Sequence, residues 1–273
     1  MSSSRAPEDH YVEVEGGHLY AEVAGSGPKV LLVHSGITDR RMWDDQFAVL
    51  AERFRVARYD MRGFGLSTPV VGSYSHVDDL ETVIEELEMV EPLLVAASMG
   101  GRVAIDLAIR RPALVNRLLL VGSAVGGARF EDAALRACWA EMSAAWDAGD
   151  SERMIDIETR FWINGPGRPE GGADEALIER VVEMQRRIVE LLPEDENDPE
   201  IDEPFAAIDR LAELTMPILV VVGEHDVSDI HRNAEAIRSA VPDARVVTLP
   251  DTGHLPNMEA VVVFNRLALE FLG

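Results

Sequence analysis

The sequence predicts an α/β fold: a mainly parallel, eight-stranded sheet with helices on both faces and an inserted helical lobe. Three observations lead there. Short continuous apolar runs at Val30–Val33, Leu93–Ala97, Leu118–Val121 and Ile218–Val222 read as strands buried on both faces. Stretches with helical spacing alternate with them at short intervals, which implies right-handed βαβ crossovers. The alternation lapses from Ala124 to about Ile208, where helical patterns and loops run without a convincing strand, and then resumes.

The elements follow in order. Tyr11–Val14 and Leu19–Val23 alternate around Gly16-Gly17 and read as a β-hairpin. The Val30–Val33 strand stops at His34-Ser35-Gly36. An amphipathic stretch runs from Trp43 to Phe54, with Trp43, Phe47, Leu50 and Ala51 on one face. Val56–Tyr59 is the next strand, and it opens into a glycine-rich loop, Asp60 to Ser67. A helix over about Val77 to Glu88 carries the stripe Leu80, Val83, Ile84 and Leu87. The Leu93–Ala97 strand and a helix patterned from Arg102 to Ile109 come next, then the strand Leu118–Val121. After the strand-free segment, Ile218–Val222, a helix near Ile230–Ala240, the strand Arg245–Leu249 and a helix from about Ala260 to Leu272 complete the chain. The sequence thus divides into a first core part (1–123), an inserted helical lobe (124–208) and a second core part (209–273).

The chemistry centres on Ser98. It stands between an apolar run and a helix start, followed by Met99, Gly100 and Gly101. A serine on a sharp strand-to-helix turn needs small neighbours, and the turn aims the first helical amides at an oxyanion. The pattern departs from G-x-S-x-G in one respect: Ala96 replaces the first glycine. Alone, Ser98 also reads as an ordinary helix N-cap. Two further groups follow strand ends, Asp226 and His254, and in a parallel sheet those ends share one edge. A serine needs a base to take its proton, an imidazole titrates near neutrality, and a carboxylate fixes the imidazole's tautomer. Glu224 and Asp229 are rivals for the carboxylate role. The Met99 amide and the Gly36 amide are the candidate oxyanion donors. His34 reads as a buried structural histidine bonded to loop backbone.

Composition bounds the alternatives. The 273 residues carry 49 acidic and 25 basic side chains, a net charge of -24, which disfavours nucleic acid or an anionic membrane surface as partner. Lys29 is the sole lysine and Cys138 the sole cysteine, so no internal disulfide or cysteine-based zinc site forms. No metal or cofactor is expected: H-E-x-x-H, P-loop and dinucleotide fingerprints are all missing. The first residues lack an apolar leader and no window approaches the ~18 apolar residues of a membrane span, so a cytoplasmic location is expected. Three of the four tryptophans fall in the strand-free segment. Any one of these aromatics is explained by packing within the lobe; Trp139 and Trp162 are the candidates to line a substrate site. Arg160 and Arg187 are candidates to hold a substrate carboxylate, although solvent-facing helix charges explain them better.

These residues carry a resemblance. His34-Ser35-Gly36, the Asp60-x-Arg62-Gly63-x-Gly65-x-Ser67 loop, the Ser98 turn, Gly223-x-x-Asp226 and Gly253-His254 together resemble the α/β-hydrolase superfamily over essentially the whole chain. Met42-Trp43 and Gly253-His254-Leu255-x-Asn257-x-Glu259 are similar to the small-cap group that includes 3-oxoadipate enol-lactonases. The resemblance implies a helical cap over the sheet edge and a serine hydrolase acting on a small ester or lactone. Relatives on the same scaffold include C–C bond hydrolases and cofactor-free haloperoxidases or perhydrolases, and a ligand-binding, receptor-like protein with vestigial activity is the remaining alternative. Dehalogenases and epoxide hydrolases of the superfamily use an aspartate at the position of Ser98. Oligomeric state is left open, a homodimer included.

Overall fold

The computed structural model describes residues 6–169, 171–192, 200–201 and 203–273. Residues 1–5, 170, 193–199 and 202 lie outside them. Eight strands form one sheet: β1 (Glu8–Val14), β2 (Gly17–Gly25), β3 (Lys29–Val33), β4 (Arg55–Tyr59), β5 (Leu93–Ala97), β6 (Arg117–Val121), β7 (Ile218–Gly223) and β8 (Ala244–Leu249). Their spatial order is β1-β2-β4-β3-β5-β6-β7-β8. β1 and β2 pair antiparallel, as does β2 with β4; every later pair is parallel.

Period-two alternation divides the central strands between two cores. Leu31, Val33, Leu94, Ala96, Leu118, Leu120, Val220 and Val222 face one cluster. There they meet α2 (His76–Glu86), α3 (Met99–Arg110) and α7 (Ser228–Ala240). Val30, Leu32, Val95, Ala97, Leu119, Val121, Leu219 and Val221 face the other cluster. It is closed by Phe47 and Leu50 of α1 (Asp44–Leu50) and by Phe264, Ala268 and Phe271 of α9 (Val261–Leu272). This two-sided burial is what the unbroken apolar runs encode; each large side chain so buried stabilises by roughly 1.5–3 kcal/mol relative to exposure.

Between β6 and β7 lie α4 (Ala133–Asp147), α5 (Ser151–Asn164) and α6 (Glu175–Leu191), with no strand separating them among the described residues. Aspartates cap each of the three: Asp132, Asp150 and Asp174. The start of this helical segment is tied to α7 reciprocally. Asp229 accepts the Glu131 and Asp132 amides, while Asp132 accepts the Ser228 amide and hydroxyl.

Local boundaries differ from the pattern in three places. The Trp43–Phe54 stretch resolves into a tight 3-10 turn, Arg40–Trp43, and then α1, which ends at Leu50. The apolar spacing of α3 shows only from Arg102, while the helix itself starts at Met99, directly after Ser98 as the turn requires, with Gly100 set against His34 O and Val33. A short helix α8 (Pro256–Glu259) precedes α9, started by a proline at its first position.

Candidate active site

β3 is followed in the chain by its neighbour on one side, β4, and β5 then pairs on its other side. The carboxyl ends of β3 and β5 therefore flank a topological switch point, where open parallel sheets bind ligands. Ser98 follows β5 and Gly36 follows β3. Ser98 has φ 50° and ψ -113°, a left-handed backbone that a side chain rarely adopts. Its amide donates to Val121 O at 2.9 Å, and its carbonyl accepts from Arg102 and Ala124. The turn admits no bulk at Gly100, where a Cβ would stand 2.3 Å from His34 O. Ala96 is different: it lies inside β5 in extended pairing between Val33 and Leu120, so its methyl costs nothing.

His254 sits in the loop after β8, with Nε2 2.9 Å from Ser98 Oγ and Nδ1 2.8 Å from Asp226 Oδ2. Asp226 follows β7, and its other oxygen accepts the Val227 amide at 2.8 Å. A carboxylate only accepts, so Nδ1 carries the proton and Nε2 is left to accept from the serine hydroxyl. Both rivals are engaged elsewhere. Glu224 accepts the Asp251 amide, and Asp229 holds the amides at the start of the helical segment.

Gly36 abuts Met99: a Cβ on the glycine would lie 3.4 Å from Met99 Sδ. Among the described residues no protein acceptor takes either amide, and the Met99 amide belongs to the first turn of α3, which has no intrahelical partner. His34 is fully buried; Nδ1 donates to Ser35 O at 2.8 Å and Nε2 accepts the Met61 amide at 2.9 Å. Burial lowers its pKa to about 4, which fits a neutral structural role. No group of three or more His, Cys, Asp or Glu side chains among the described residues is arranged to hold a metal ion.

The helical segment reaches this edge through the end of α5. The Trp162 ring lies against His254, tilted by 37° with centroids 4.3 Å apart, and Trp162 O accepts the His254 amide at 3.0 Å. Trp139 instead is 42% exposed and packs edge-on against Phe130. Arg160 pairs with Asp156 and Glu175 on the surface. Arg187 pairs with Glu190 and donates to Gly65 O, bridging α6 to the glycine-rich loop.

Sequence reasoning missed one contributor. Glu259 accepts the Gly253 amide at 2.7 Å, beside the histidine, and pairs at 2.8 Å with buried Arg168 from the loop after α5. The signal was its place in the closing motif, but its partner is remote in sequence.

A parallel sheet carrying a serine on a strained strand-to-helix turn, in line with an imidazole and a carboxylate, defines a class of nucleophile-elbow enzymes. The chain belongs to the alpha/beta hydrolase family, whose model matches residues 30–267. Over 251 residues it is 27% identical to the pimeloyl-acyl-carrier-protein methyl ester esterase of Nitrosospira multiformis, covering 87% of this chain and 92% of that one. Its fold is similar to the enol-lactonase from Burkholderia xenovorans LB400, with TM-score 0.78, 23% identity, and coverage of 96% of this chain and 99% of that one. It is also similar to a thermophilic esterase from Thermogutta terrifontis, with TM-score 0.76, 25% identity and 98% of each chain covered. No helix among the described residues is long and apolar enough to cross a membrane.

Proposed function

We propose that this protein is a serine hydrolase that cleaves a small ester or lactone through an acyl-enzyme. The observation that carries the reading is the continuous row Ser98 Oγ, His254, Asp226, with hydrogen bonds of 2.9 and 2.8 Å. Ser98 Oγ attacks the carbonyl carbon as His254 Nε2 takes its proton. Asp226 holds the imidazole and balances the charge it acquires. The Gly36 and Met99 amides receive the tetrahedral oxyanion, each such donor contributing about 3 kcal/mol. Collapse expels the alcohol, or opens the lactone ring, with the proton returned from His254. Water then gives its proton to His254 Nε2 and attacks the acyl group, releasing the acid and Ser98.

Residues 124–208 act in this reading as a cap, with Trp162 as the side chain that meets substrate beside His254. The esterase and enol-lactonase names among similar proteins support ester or lactone chemistry. The test is Ser98→Ala on p-nitrophenyl acetate. Turnover should fall by about 10³-fold or more while the circular dichroism spectrum is kept. Equal turnover by the variant refutes the reading.

A further inference from the structure

The helical segment holds a half-buried carboxylate, Glu158, that the mechanism leaves without a role. Glu158 lies on α5 one turn before Trp162, at the i, i+4 spacing that puts two side chains on one helix face. That spacing is about 6 Å along the axis. Trp162 is the side chain that lies against His254. The Glu158 side chain is half-buried where α5 meets α6. Its Oε2 accepts from Gln185 Nε2 of α6 at 2.7 Å, and Gln185 is itself 3% exposed. No protein donor among the described residues reaches Oε1, and no arginine pairs with this carboxylate.

The missing cation is notable because arginine is plentiful around it. Arg160, Arg168, Arg186 and Arg187 are each paired to another acid: Arg160 to Asp156 and Glu175, Arg168 to Glu259, Arg186 to Glu152, and Arg187 to Glu190. A carboxylate drawn in from water without a counter-charge is costly, and here burial does push the Glu158 carboxyl up. A guest that brings its own positive charge removes that cost.

Resting on the serine-hydrolase reading, we propose that Glu158, held by Gln185, determines specificity by receiving a cationic group of the substrate one helical turn beyond His254. The favoured substrate is then an ester or lactone bearing an ammonium or guanidinium. One bearing a carboxylate is disfavoured, both by Glu158 and by the net charge of -24.

Three p-nitrophenyl esters of similar length test this: the hexanoate, the 6-guanidinohexanoate and the mono-adipate. The wild-type kcat/KM should rank guanidino above hexanoate above adipate. Glu158→Gln keeps the shape and the Gln185 contact but removes the charge. It should lower the guanidino-to-hexanoate ratio by about tenfold, the worth of one charge-assisted hydrogen bond, and raise the adipate-to-hexanoate ratio. Glu141→Gln makes the same charge change at an exposed position on α4 and should leave both ratios in place. Equal ratios in wild type and Glu158→Gln overturn the proposal, as does an equal shift in Glu141→Gln, which would mean a bulk field. Calorimetric binding of pentylguanidinium to the Ser98→Ala protein, with and without Glu158→Gln, reads the same site without turnover. A loss of that binding by about tenfold supports the site even if Ser98 proves dispensable. Undiminished binding refutes the site even if Ser98 proves essential.

Discussion

Replacing Ser98 with glycine should make the protein more stable than its alanine variant while, on the proposed mechanism, abolishing its activity. Ser98 holds φ 50° and ψ -113°. These angles lie near +60° and -120°, the mirror image of the first central position of a type II turn, a region dominated by glycine. A side chain held there stores roughly 1–3 kcal/mol of strain. Glycine releases it but gives the unfolded chain extra freedom, returning about 0.4–1 kcal/mol. The net gain is about 1 kcal/mol, or about 2–4 °C in Tm for a chain of this size. Alanine is the proper reference, because it lacks the hydroxyl and keeps the Cβ. Ser98→Gly should therefore melt above Ser98→Ala by that margin when both are followed by circular dichroism at one scan rate. A glycine variant that melts at or below the alanine variant refutes the claim that the turn is strained.

Three further outcomes follow from the geometry. Asp226→Asn presents an amide where Nδ1 needs an acceptor, favours the wrong tautomer, and should lower kcat for ester hydrolysis by about 10⁴-fold with little change in fold, as read by stopped assays and circular dichroism. Gly100→Ala places a methyl against the His34 carbonyl and Val33. It should cost about 1–3 kcal/mol in urea denaturation, and a wild-type midpoint would contradict the packing. His34 has a folded-state pKa of about 4, below its ordinary 6.5. Both states are neutral at pH 7, but as pH falls the unfolded chain takes a proton that the fold refuses. Stability should therefore drop by about 1.4 kcal/mol per pH unit between pH 6.5 and 4, and His34→Gln should flatten the urea-midpoint profile by that slope.

Much of the fold was legible because parallel strands buried on both faces must be apolar throughout, as at Leu93–Ala97 and Ile218–Val222. Ser98 was legible because it follows such a run at a turn, and His254 because it follows the Arg245–Leu249 strand in a Gly-His loop. Asp226 was read as the carboxylate with Glu224 and Asp229 as near rivals within six residues, and the geometry separates them: Glu224 bonds the Asp251 amide and Asp229 the Glu131 and Asp132 amides. The start of α3 directly after Ser98 was legible from the turn, although its apolar spacing shows only from Arg102. Trp139 and Trp162 look alike in sequence, and the packing of α4 and α5 separates them, one against Phe130 and one against His254. Glu259 and Arg168 are 91 residues apart, a separation across which no local pattern reports a contact.

The reciprocal bonds between Asp132 and the first turn of α7 join two things that could otherwise vary independently. The segment from Asp226 to Asp229 is at once the anchor of the helical insert and the mooring of the imidazole. Any exchange of residues 133–191 for a foreign insert must keep the docking pair at 131–132, or the new segment will tug on the carboxylate of Asp226.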